Sequence, residues 1–265
     1  MTRTLEEIRA RLFQMRDEDY RAFHSKLMPT VDPETVIGVR VPQLRAFARE
    51  LAGTDREAAF LRALPHGYYE ENNLHGLLIS SMRGYEQTVA ALNVFLPYVD
   101  NWATCDLISP RAFQKRPDAL PEQLHRWLLS GRTYTIRFAM GMLMSLYLDD
   151  AFRPEYAEWV ASVRSDEYYV NMMTAWYFAT ALAKQWDAVF PTLAENRLPV
   201  WTHNKTIQKA VESRRISAER KEELRRRRRK EQGMKSSAGA EGEIRRERMK
   251  SSAGAEGEIR RWGGG

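Results

Sequence analysis

NWATCD at residues 101–106, TYTIRFAMGMLMSLYL at 133–148 and VNMMTAWYFA at 170–179 are the stretches on which the fold turns. Each has helical rather than alternating periodicity. Trp102 and Arg137 lie 35 residues apart, and Arg137 and Trp176 lie 39 apart. Those intervals approximate one two-helix repeat of an α-solenoid. Residues one repeat apart take equivalent places on stacked helices, so they can line a single groove. An acid (Asp106), a cation (Arg137) and two indoles (Trp102, Trp176) would then face one ligand. That mixture suits a phosphodiester backbone and its sugar better than plain core packing.

Outward from these stretches, helical patterning is nearly continuous from Thr4 to about Arg229. Thr4 with Glu7 reads as a capping box. Asp17 restarts a helix through Tyr20, Phe23 and Leu27, Pro42 opens one that Gly53 closes, and Thr54 caps the next. Further helices are predicted near 69–82, 85–98, 101–113, 119–129, 133–148, 154–163, 167–184, 188–195 and 203–212. With alternate helices taken as inner ones, the starts fall near 42, 69, 101, 133, 167 and 203. The prediction is an all-α, HEAT-like α-solenoid of antiparallel helix pairs with a concave groove over residues 1–229. A globular helical bundle is the alternative.

The chain end is different material. Arg225–Lys230 is an unbroken basic run, and MKSSAGAEGEIRR at 234–246 recurs unchanged at 249–261. Such sequence has too little apolar content to offset its ordering entropy, so residues 230–265 read as a disordered tail. It is either a nucleic-acid anchor through its arginines or, as we favour, a tandem duplication without specific function.

A chain of 265 residues with 43% hydrophobic content can bury a full core. The single cysteine, Cys105, excludes an internal disulfide framework and fits a reducing compartment. The N-terminus has no apolar signal core, and the longest apolar stretches are too short to span a bilayer, so a cytoplasmic protein with no membrane association is expected. The net charge of +6 is misleading until it is located. From Ser217 onward there are 15 Lys/Arg against 9 Asp/Glu, whereas residues 1–216 hold 26 of each. If the helical body binds nucleic acid, it must segregate charge onto one face. Phosphate-cradling loops and nucleophile elbows are absent from the sequence, and the five histidines lack metal-ligand spacing. No metal, nucleotide or other cofactor is therefore expected.

Trp102 and Asp106 are four residues apart and share a helix face. Structurally, Asn101 or Asp106 could instead be a helix cap and Trp102 core. Arg137 is the only charge in an otherwise apolar helix, so it needs an anion, because burying it unpaired costs several kcal/mol. That anion is either a carboxylate, Asp106 included, or a DNA phosphate. Trp176 lies in a helix apolar nearly all round, which by itself predicts burial.

Together these segments resemble the DNA alkylation repair family, the AlkD-like glycosylases. So do IGVRVPQLR at 37–45 and HNKTIQKA at 203–210, followed by Arg214-Arg215. The resemblance runs in register over roughly residues 5–225. It implies a HEAT-like solenoid that holds duplex DNA by its backbone and cleaves the N-glycosidic bond of cationic N3- or N7-alkylated purines without flipping the base. On that likeness the catalytic aspartate falls on Asp106, the groove tryptophans on Trp102 and Trp176, and the phosphate-contacting arginine on Arg137. Tyr20 is the nearest match to an aromatic supplied by the family's N-terminal helices. Where the family tends to carry a basic residue soon after the second tryptophan, this chain has Ala179 and Thr180.

The chemistry is self-consistent. A cationic purine leaves without a general acid, so one carboxylate can stabilise oxocarbenium character and place a water. Indoles beside the sugar would add cation–π attraction of about 0.5–2 kcal/mol each. Arg137, Lys205 and Lys209, with Arg40 or Arg45, would hold phosphates and make binding salt-dependent. The expected partner is duplex DNA carrying alkylated bases, bound by a monomer. Two other readings are a catalytically silent binder of distorted or branched DNA, and a protein-binding helical scaffold. The last predicts Arg137 paired inside the core.

Overall fold

The computed structural model describes residues 3–115 and 118–230. Among them no strand occurs, and every regular element is helical. They divide between Leu78 and Ile79 into two compact units.

The first unit holds α1 (Arg3–Gln14), α2 (Glu18–His24), α3 (Val41–Leu51), α4 (Asp55–Leu61) and most of α5 (Tyr69–Ser81). In α3, Leu44, Phe47, Ala48 and Leu51 are buried, the i, i+3, i+4, i+7 stripe of an amphipathic helix. Asp17 and Thr54 cap as predicted, accepting from the backbone N–H groups of Tyr20 and Glu57. Thr4 does not cap. It lies inside α1, and the Glu7 carboxylate instead takes the Arg3 Nε at 3.0 Å.

Between these helices runs a buried segment, Val36–Val39, whose backbone donors need partners. Glu70 supplies them: its carboxylate accepts from Ile37, Gly38 and Val39 N–H at 2.8, 2.7 and 3.1 Å. Gly38 has φ +97°, and a Cβ there would meet the Asp17 carbonyl oxygen at 2.7 Å. Only glycine fits that close, left-handed crossing.

The second unit comprises α6 (Tyr85–Phe95), α7 (Trp102–Leu107), α8 (Arg111–Gln114), α9 (Pro121–Leu128), α10 (Thr133–Leu146), α11 (Pro154–Ser162), α12 (Tyr168–Lys184), α13 (Trp186–Ala194), α14 (Val200–Glu212) and α15 (Ala218–Arg226). Two rows emerge from its packing. In one, α10 lies against α7 and α12, and α12 against α14; in the other, α11 lies against α9 and α13. Within the first row the bonds keep a repeat-like register. Cys105 Sγ reaches the Tyr134 carbonyl 29 residues on, Thr174 Oγ1 reaches Met140 Sδ 34 back, and Thr202 Oγ1 reaches Asn171 Oδ1 31 back. Residues near the N-terminal ends of α10, α12 and α14 therefore sit side by side, and these helices run the same way.

Most predicted boundaries hold to within three residues. Two long helices are interrupted. The helix expected over 101–113 breaks between Leu107 and Arg111, where Pro110 removes a donor and disfavours helical geometry at Ser109. The one expected over 85–98 ends at Phe95 and closes in a 3-10 turn, Leu96–Tyr98, around Pro97. Beyond the predicted helices, α15 forms behind a Ser217 cap. The expected disorder and the duplicated segment at 231–265 lie outside the described residues. No helix among those described is long and apolar enough to cross a membrane.

Candidate functional site

A six-residue helix, α7, carries both Trp102 and Asp106. It is anchored at its start by buried Asn101, whose Oδ1 accepts from Thr104 N–H at 2.8 Å and whose amide donates to Thr104 Oγ1 at 3.0 Å. Asn101 is therefore the cap. Trp102 is half-buried rather than core.

Arg137, on the neighbouring α10, selects the carboxylate among the anions considered for it. Its Nε and Nη2 donate to Asp106 Oδ1 and Oδ2 at 2.8 and 2.6 Å, a two-pronged pair, while Nη1 donates to the Tyr169 carbonyl at 3.1 Å. The guanidinium side chain is 5% exposed and the carboxylate 11%. Burial alone would lower the Arg137 pKa, but the adjacent Asp106 charge and hydrogen bonds outweigh it and push the group further above its ordinary value. The expected phosphate arginine is thus engaged by the expected catalytic acid. Those bonds use three of its five N–H donors. Burial pushes the Cys105 thiol, bonded to the Tyr134 carbonyl, well up, leaving it an inert neighbour.

Trp176 departs from what its helix predicts. From Met172 to Ala179 it is the one residue not buried. It is only partly covered, which leaves some of the indole accessible. The Ala179 and Thr180 that follow are accounted for locally, Ala179 by burial and Thr180 by an Oγ1 bond to the Trp176 carbonyl at 3.0 Å.

On α14, Lys205 and Lys209 are half-buried, and Lys205 Nζ donates to Gln208 Oε1 at 3.2 Å. Sequence reasoning did not find the aromatic row beside them. Tyr134 neighbours Tyr169 (ring centroids 5.9 Å apart), Tyr169 neighbours Tyr168 (5.2 Å), and Tyr168 neighbours Trp201 (5.7 Å), all near the N-terminal ends of α10, α12 and α14. The adjacent pair Tyr168-Tyr169 was its only trace in the sequence.

The remaining predicted residues belong to the first unit. Arg40 lies over the Tyr20 ring, 4.9 Å from its centroid, and its Nε donates to Asp17 Oδ2 at 2.8 Å. Tyr20 in turn stacks on His24 at 5.0 Å, and His24 Nε2 meets the Tyr69 hydroxyl at 3.0 Å. Burial pushes His24 down to about 4, so it stays neutral. Arg45 is exposed on α3. Tyr20 and Arg40, nominated separately, share one cluster that Gly38 and Glu70 hold in shape.

Comparison with protein-family models matches residues 8–210 to the DNA alkylation repair enzyme family. The chain belongs to that family. Neither curated proteins nor solved structures yield a match to it. Family membership carries a role in DNA repair and, with it, DNA binding. The match includes Tyr20, Arg40, Arg45, Trp102, Asp106, Arg137, Trp176, Lys205 and Lys209, and ends before Arg214, Arg215 and α15.

Proposed function

We propose that this member of the DNA alkylation repair family is a DNA glycosylase. It hydrolyses the N-glycosidic bond of cationic N3- or N7-alkylated purines in duplex DNA, without a flipped-base pocket. On this reading the two helix rows continue as a HEAT-like solenoid, and the row of α7, α10, α12 and α14 faces the duplex. The observation that carries the reading is the partly exposed carboxylate of Asp106, oriented by both prongs of Arg137, with half-buried Trp102 one turn away.

In the reaction, the C1′–N bond breaks and its electron pair neutralises the purine, so no proton need be delivered to the leaving base. Positive charge then develops on the deoxyribose. Asp106 stabilises that charge and orients a water whose oxygen bonds C1′. The water proton passes to the carboxylate or to solvent, leaving an abasic site. Arg137 fixes the carboxylate in direction. Its two remaining N–H donors supply the phosphate contact, with Lys205 and Lys209 alongside. Trp102 and Trp176 offer π-faces to the cationic sugar. Within the first unit, Tyr20, Arg40 and Arg45 are the candidate DNA contacts.

A second reading keeps the DNA and drops the chemistry, because both oxygens of Asp106 are already engaged within the protein. Duplexes bearing N7-methylguanine, N3-methyladenine or a neutral lesion such as uracil separate the two. The glycosylase reading expects abasic product from the cationic lesions alone. Salt-sensitive binding with no product from any of them would establish the silent binder instead.

A further inference from the structure

The basic run Arg225–Lys230 is built into the second unit. His203 Nε2 donates to the Arg227 carbonyl at 2.8 Å. Asn204 pairs with Arg229 as a second backbone would: its Nδ2 donates to the Arg229 carbonyl at 2.8 Å, and its Oδ1 accepts the Arg229 N–H at 2.9 Å. Arg229 Nη1 also reaches the Leu198 carbonyl at 2.9 Å. Arg227 lies over the Phe190 ring, and its Nε meets Glu223 at 3.0 Å. Alternate residues, 227 and 229, are thus pinned to the fold. Arg228 and Lys230 between and beyond them are exposed, with no acidic partner among the described residues.

Six consecutive cations repel one another, so a docked conformation of such a run is electrostatically costly. The fold nevertheless commits two side chains of α14 to hold it. Asn204 directly precedes Lys205, so the run docks at the first turns of the helix that carries the candidate phosphate lysines. Between Ala218 and Lys230 there are eight Lys/Arg against three Glu, in a chain whose residues 1–216 are neutral overall. A regular polyanion is the complement of that charge.

We infer that Arg225–Lys230, positioned by Asn204 and His203, is a second phosphate-binding surface that extends the duplex contacts beyond the matched family module. It rests on the duplex-DNA reading above. Arg228 and Lys230 bind backbone phosphates directly, and Asn204 acts as a positioning residue through Arg229.

The test is the salt dependence of binding to an undamaged duplex, using the full chain. Each phosphate contact contributes about 0.9 to the slope of log K against log salt, so R228Q/K230Q should lower the slope by close to 2. Asn204→Ala, which removes no charge, should also lower it, with helicity checked by circular dichroism. R126Q/R153Q, which neutralises two exposed arginines on and beside the other helix row, should leave it unchanged. An unchanged slope for R228Q/K230Q, while K205Q/K209Q lowers it, would overturn this inference and leave the DNA reading intact. An equal drop in R126Q/R153Q would also overturn it, since general charge would then explain the effect. Absence of duplex binding by the wild type would overturn the DNA reading as well.

Discussion

Asp106 and Arg137 form one chemical unit, and their joint burial sets what substitution does. Removing one partner of a buried pair strands the other charge, at a typical cost of about 3–5 kcal/mol. Arg137→Met should therefore lower unfolding free energy by that order in a denaturant titration, and Asp106→Leu in the same chain should restore much of it. A single Arg137→Met within about 1 kcal/mol of wild type would mean the pair is not held as described. The pairing also bears on the scaffold reading, which expected Arg137 to be satisfied inside the core. It is satisfied, but by a carboxylate that reaches the surface beside a half-buried indole. The sequence marked Arg137 as needing an anion and could not choose among the candidates, because the choice depends on how α7 meets α10.

At the scale of elements, α7 is six residues long, so its placement rests on its cap and its neighbours more than on its own helical stability. Asn101→Ala should cost about 1–2 kcal/mol from the lost cap. It should also slow base release more than it weakens DNA binding, because Asp106 is aimed by this helix; equal effects on both would place the role of Asn101 elsewhere. Element starts were legible at Asp17, Pro42, Thr54 and Pro154, where a capping or helix-opening residue announced them. Pro110 was present in the sequence but its break was absorbed into a longer apolar pattern. The exposure of Trp176 was not legible at all, since in a helix apolar on every side only the neighbouring helices decide which residue is left uncovered. The docking of Arg229 on Asn204 was hidden for the same reason: its partners lie 25 residues apart, and the run itself has the composition of a tail.

For the whole molecule, the first unit carries a pH dependence that its histidines dictate. Burial pushes His24 and His66 down to about 4, and burial together with His66 pushes His75 to about 3. All three are neutral in the fold, while the unfolded chain takes up protons near 6.5. Their contribution is thus complete above about pH 6.5 and is lost as pH falls toward 4, by up to about 1.4 kcal/mol per pH unit per histidine. Glu70 acts oppositely, because burial raises it against the pull of its backbone N–H donors. Burial lowers His203 of the second unit as well, so four histidines against Glu70 predict a net fall of about 2 kcal/mol or more between pH 7 and pH 5, read from denaturant midpoints at fixed salt. A flat profile over that range would contradict it. The proposed base-release chemistry is assigned to the second unit, and that proposal rests on one carboxylate. The decisive measurement is the single-turnover rate of N7-methylguanine release from duplex at saturating enzyme, for wild type and for Asp106→Asn. The account predicts a loss of about 100-fold or more with duplex binding retained, in line with losing an electrostatic stabiliser of the transition state. A rate for the Asp106→Asn variant within a few-fold of wild type would contradict it.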